Sequence, residues 1–207
     1  MGVWRGGRGL GRLFGGMTRR DWIRLAGLLP LAVRAETWAP GITPENFAPE
    51  RLRAAIFAET NRVRVAEGRR RLLPEPKLDE AAADQATTMA ARLKPSHDGP
   101  FPGGANALER VVRTGLKVEL VAENVSAISL PNGSSDETWG DDYGQLAAVI
   151  VSEWMASPGH RRNLLRRDLT HLGCAARLAM VPGGRRVFSV QVFCRPGEER
   201  RKPFAER

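Results

Sequence analysis

The chain has 207 residues, of which 42% are hydrophobic and 27% charged, a balance that supports one folded domain with an extension and excludes a disordered chain. No apolar run approaches the roughly 20 residues of a spanning helix, and two cysteines exclude a disulfide-dense mini-fold or a four-cysteine zinc site. The net charge is +9, but residues 1–35 hold seven arginines and one acid, the remainder carries only +3, and there is no series of aromatic platforms, so nucleic acid is not an expected partner.

The chain opens on a leader. Arg19-Arg20 precede a short apolar stretch, Leu25 to Val33, and Val33-Arg34-Ala35 places small residues at −3 and −1 of a cut before Glu36. Charged region, short apolar region and small-residue site form an export signal over residues 1–35, and the paired arginines resemble the twin-arginine type. The alternative is a basic amphipathic helix that stays attached. Cleavage leaves no transmembrane span, and the product is periplasmic or extracellular. Residues 36–49, rich in proline and polar side chains, read as a linker.

The body follows over residues 50–195. Pro49 to about Glu67 is a helix, with Leu52, Ile56 and Val63 at helical spacing and Gly68 ending it. Leu72-Leu73-Pro74 is a connector. Asp79 caps a second helix with the stripe Ala82, Ala86, Met89 and Leu93, stopped by Pro95. Residues 98–107 form a loop, Leu108 to Thr114 a short helix, and Glu119 to Ile128 a strand or a buried irregular segment. After a polar loop over Pro131 to Asp142, Tyr143 to Met155 is a third long helix with Leu146, Val149, Ile150 and Trp154 on one face. Pro158-Gly159 breaks it, and a turn follows at His160–Leu165. Gly173–Val181 and Val187–Phe193 make a hairpin around Pro182-Gly183-Gly184, and 196–207 is a charged tail. Helices followed by β pairing indicate an α+β fold.

Cys174 and Cys194 lie almost symmetrically about the hairpin turn. With the register centred near Gly184 they face each other, and in an oxidising compartment they form a disulfide. The alternative is two buried free thiols.

Of the three histidines, His97 and His160 each follow a helix break, where a side chain can project into a cleft. Glu123 lies in an otherwise apolar segment, so its carboxylate needs a partner. Two histidines and one carboxylate read either as a structural hydrogen-bonded cluster or as a site for a divalent metal such as Zn²⁺.

Asn61-Arg62, Leu72-Leu73 and the alanine-rich second helix are followed in order by Ser96-His97, Glu109-Arg110, Gly115 and Ala122-Glu123-Asn124. Trp154-Met155-Ala156-Ser157-Pro158-Gly159-His160-Arg161 and Gly173 complete the series. It resembles the bacterial branch of the CAP superfamily (cysteine-rich secretory proteins, antigen 5 and pathogenesis-related-1 proteins; SCP domains). The resemblance implies an α-β-α sandwich with a central antiparallel sheet and a central cleft. In that family two histidines and two acidic residues line the cleft and can hold a divalent cation. His97 and His160 take the histidine places and Glu123 the first acidic place. Ser157 occupies the second acidic place and is a poor metal ligand, so the set is incomplete. Glu153, one helical turn before Ser157, either reaches the cleft or faces solvent. Asn124 orients local backbone, and Asn163 and Arg110 make structural bonds.

The function expected on that resemblance is an exported binding or interaction module at the cell envelope. It has a divalent cation, Zn²⁺ first, in the cleft, and a lipid, glycan or protein ligand that no residue names. The alternative is a metal-dependent hydrolase acting on peptide or cell-wall substrates. No HExxH or GxSxG motif supports it, and no catalytic residue is assigned.

Overall fold

A computed structural model describes residues 42, 45–99, 106–130 and 143–197. The leader, most of the linker, part of the 98–107 loop, the 131–142 loop and nearly all of the charged tail lie outside the described residues.

Helix α1, Pro49–Ala66, starts with proline at its first position and Glu50 near its positive end. Leu52 and Ile56 are fully buried, one turn apart. The inner stripe then turns polar, with Thr60, Asn61 and Arg64 buried while Val63 is only half-buried. The expected connector contains a two-residue strand, β1 (Leu73–Pro74), parallel to His171-Leu172. The side chain of Asn61 fixes it, donating to Leu72 O at 3.1 Å and accepting from Leu72 N at 2.7 Å.

Helix α2, Pro76–Arg92, buries Ala82, Ala86 and Met89 as expected. Its cap is Glu75, whose carboxylate accepts from Lys77 N, rather than Asp79. Asp79 sits in the first turn and reaches outward, accepting Cys174 N at 2.8 Å and pairing with Arg53 at 2.7 Å. Leu93 is 39% exposed and ends the helix in the left-handed region, so it leaves the stripe. Helix α3, Ala107–Arg113, is capped by Asn106, which accepts from Glu109 N. The ambiguous segment is a strand, β2 (Val118–Leu130). Helices α4 (Tyr143–Ala156) and α5 (Pro158–Leu164) precede strands β3 (His171–Val181) and β4 (Gly184–Pro196). Among the described residues no helix is long and apolar enough to cross a membrane.

The sheet order is β1-β3-β4-β2. The three long strands are antiparallel and β1 adds a parallel edge, so the sheet is mixed rather than purely antiparallel. Strand β4 lies between two neighbours and is buried without a break from Val187 to Cys194. Its alternate side chains serve two layers. Phe188, Val190, Val192 and Cys194 join α2 and Val111 of α3 in one core. The opposite face packs toward α1 and α4, where Gln191 bonds Thr60 and the indole of Trp154 donates to Val125 O at 3.0 Å. The layers form the expected α-β-α sandwich. Gly173 lets α2 approach the sheet, because a Cβ there would stand 2.2 Å from the Leu78 carbonyl carbon.

The expected disulfide is not formed. Val181 pairs with Gly184, so the hairpin turns on Pro182-Gly183, with Gly183 at φ 87° as the third residue of a type II turn requires. Cys174 then lies opposite Gln191, and Cys194 opposite His171. The true centre differs from the expected one by an odd number of half-steps, so the two thiols point to opposite faces of the sheet. Both are buried and free.

Candidate functional site

Strand β2 is the edge strand on one side of the sheet, and the residues that carry chemistry gather along it. Glu123 comes from β2 itself. His97 comes from the loop after α2, and His160 from α5. The sequence is thus brought together from three elements belonging to three layers.

Glu123 is almost fully buried, with its side chain 3% exposed. Its Oε1 meets Nδ1 of His97 at 2.9 Å, and its Oε2 accepts from the Arg110 guanidinium. A buried carboxylate without such partners is costly. Arg110 supplies the counter-charge from inside the protein, since its side chain is 0% exposed. It also donates to His97 O at 3.2 Å, so one guanidinium fixes both the carboxylate and the loop that carries the imidazole. Gln85, buried on α2, donates to Ser96 O and to Asp98 O on either side of His97. The imidazole itself is 57% exposed, so it is the accessible end of the chain Arg110–Glu123–His97.

His160 is placed by two asparagines. Asn124 donates to His160 O at 3.1 Å and to Gln191 Oε1 at 3.2 Å. Asn163 donates to Glu123 O and to Asn124 Oδ1. Helix α5 is therefore tied to β2 through backbone and side chain at once. The two imidazoles are electrostatically opposed. The bond to Glu123 raises His97 above its ordinary value, chiefly as a charge-stabilising hydrogen bond. Burial lowers His160, and the nearby charge of His97 lowers it further. The pair thus comprises one imidazole biased toward the cation and one biased toward the neutral form.

The other candidates lie as follows. Ser157 is the N-cap residue of α5, yet its hydroxyl makes no cap bond. Glu153 is exposed on α4, and partial desolvation raises its carboxyl. His171 sits in β3, its Nδ1 2.9 Å from the Thr170 hydroxyl. Arg110 and Gln85 hold the site, and Gln85 carries no local signal beyond its place in an alanine-rich helix.

The donor set does not fit a resident divalent cation. Both oxygens of Glu123 are engaged, one of them by a buried guanidinium that repels a second cation, and Ser157 offers no carboxylate. Among the described residues no group of three or more His, Cys, Asp or Glu is placed to hold a metal ion. The nucleophile chemistry is equally limited at the cysteines, since burial pushes Cys194 up to about 12 and Cys174 well above its ordinary value.

The model of the cysteine-rich secretory protein family matches residues 57–193. Among solved structures, the chain is similar to an extracellular protein containing a SCP domain from Bacillus anthracis, with 23% identity and a TM-score of 0.54, over 76% of this chain and 45% of that one. It is also similar to an outer surface protein from Borrelia burgdorferi, with 16% identity and a TM-score of 0.53, over 72% of this chain and 94% of that one. The chain therefore spans less than half the length of the Bacillus anthracis protein. No curated protein sequence matches it.

Proposed function

The chain belongs to the cysteine-rich secretory protein family, and on that premise we propose that it is an exported binding module at the cell envelope, with its ligand cleft at the β2 edge. The observation that carries this reading is the His97–Glu123–Arg110 chain. It presents one exposed imidazole backed by a buried, fully partnered carboxylate, which makes a fixed polar contact rather than an open metal site. The extracellular and surface origins of the two similar structures support export, as does the leader. Lipid, glycan and protein ligands all suit such a contact.

A hydrolase acting on peptide or cell-wall substrates is the second reading. It is favoured by the opposite shifts of His97, raised by its bond to Glu123, and His160, lowered by burial, which suit an acid and a base.

Purified protein incubated with isolated cell-wall material tests both readings. Co-sedimentation that weakens at least about tenfold in His97→Gln and His160→Ala, with no soluble fragments released, is the expected result. Release of fragments that stops in His160→Ala replaces the binding module with the hydrolase. A Zn²⁺ titration by calorimetry completes the test. Stoichiometric binding lost in His160→Ala overturns the reading of the site as metal-free.

A further inference from the structure

Two arginine-bearing loops meet where α1 and α5 end. Helix α1 stops at Ala66, Gly68 turns the chain at φ 68°, and Arg69-Arg70-Arg71 follow. Helix α5 stops at Leu164 and is followed by Leu165-Arg166-Arg167-Asp168. Arg64, 1% exposed, clamps the two loops together. Its guanidinium donates to Arg70 O at 2.9 Å, to Leu164 O at 2.6 Å and to Arg166 O at 3.1 Å.

Arginines near helix C-termini offset the negative end of the helix dipole. Here Arg64 already serves the terminal carbonyls, and the remaining arginines outnumber their partners. Glu67 pairs with Arg161 at 3.4 Å and Asp168 with Arg166 at 2.7 Å. Among the described residues, Arg69, Arg70, Arg71, Arg162 and Arg167 have no carboxylate partner. Gly68, Arg69, Arg70 and Arg167 line a cavity of about 370 Å³. Arg69 is also under-satisfied, since its Nε is buried without an acceptor. Arg69 also faces a like charge: burial lowers the Arg64 guanidinium, and the nearby charge of Arg69 lowers it further. Like charges held together by backbone bonds repel, and an anion between them removes the repulsion.

We propose that this cavity binds a phosphate-type oxyanion, with Arg69, Arg70 and Arg167 as its counter-charges. Guanidinium groups match phosphate oxygens in pairs, which a point charge cannot do. The volume exceeds that of one phosphate and lies in the range of small-ligand pockets, so the anion is one carried on a small organic group. A soluble phosphorylated compound and a phospholipid headgroup share this chemistry. The inference is independent of the His97–Glu123–His160 site, with which the cavity shares no residue.

The full chain is titrated with inorganic pyrophosphate by calorimetry. It is also floated with phosphatidylcholine vesicles that contain or lack phosphatidylglycerol. The test variant is Arg69→Gln/Arg167→Gln, and the charge-matched control is Arg177→Gln/Arg186→Gln. Pyrophosphate binding at one site, weakened at least about tenfold in the test variant and unchanged in the control, is expected for a soluble anion. Phosphatidylglycerol-dependent flotation with the same variant pattern, without pyrophosphate binding, assigns the site to a headgroup. Binding of neither probe, or equal losses in test and control variants, overturns the proposal. Arg167→Gln alone, which removes no bond that joins the loops, gives the same decision should the double variant fold poorly.

Discussion

Arg110 determines what Glu123 can do. Removing it leaves a buried carboxylate without its counter-charge and frees the loop that carries His97. Arg110→Ala is therefore expected to cost about 3–5 kcal/mol of stability by urea denaturation. Arg110→Lys should recover only part, since an ammonium cannot hold carboxylate and carbonyl in the same fork. The two histidines give opposite pH limbs. His97 is raised, so its stabilisation is complete below the ordinary value of 6.5 and is lost as pH rises through its higher folded value. His160 is lowered, so its contribution is present above 6.5 and is lost as pH falls through its lower folded value. Urea midpoints between about pH 5 and about pH 8 should peak near the ordinary histidine value. His97→Gln should flatten the alkaline limb and His160→Gln the acid limb. At this scale the sequence marked His97, Glu123 and His160, because helix breaks and a lone carboxylate in an apolar run are visible locally. It did not mark the role of Gln85, because that role consists of reaching two carbonyls from another element.

Helix periodicity placed the long helices well, because Leu52 and Ile56, Ala82 and Ala86, or Leu146 and Ile150 repeat on one face. The errors lie where an element's end is set by a neighbour. Asp79 looked like a cap and instead joins α2 to Cys174 N on the open side of β3 and to Arg53 of α1. Gly173 belongs to this junction. Gly173→Ala should cost about 1–3 kcal/mol by thermal or urea unfolding, because its Cβ would strike backbone of α2 rather than a movable side chain. The hairpin register is a second case. A shift of the turn from Gly184 to Pro182-Gly183 puts the cysteines on opposite faces. Thiol titration without reductant should find no accessible thiol in the native protein and two per chain after unfolding. One disulfide-bonded pair on unfolding would contradict the observed register.

At the scale of the molecule, the layers are joined by side-chain bonds and by apolar packing on both faces of β4, and both oxygens of Glu123 are already engaged. Chelator treatment should leave the thermal midpoint unchanged, and added Zn²⁺ should not raise it, since only a ligand that binds the folded state stabilises it. A rise with Zn²⁺ that disappears in His160→Ala would place a cation between the histidines. The sequence by itself determined the fold class, the order of the helices and the W-M-x-S-P-G-H-R and E-N signatures, because these depend on residue periodicity, chain breaks and linear order. The tertiary structure alone decided three things: that Arg110 occupies Glu123, that the cysteines do not pair, and that the arginines of two distant segments line one cavity. Each depends on which atoms meet across more than forty or fewer than twenty-five residues of chain, and such distances are set by packing and strand register rather than by local pattern.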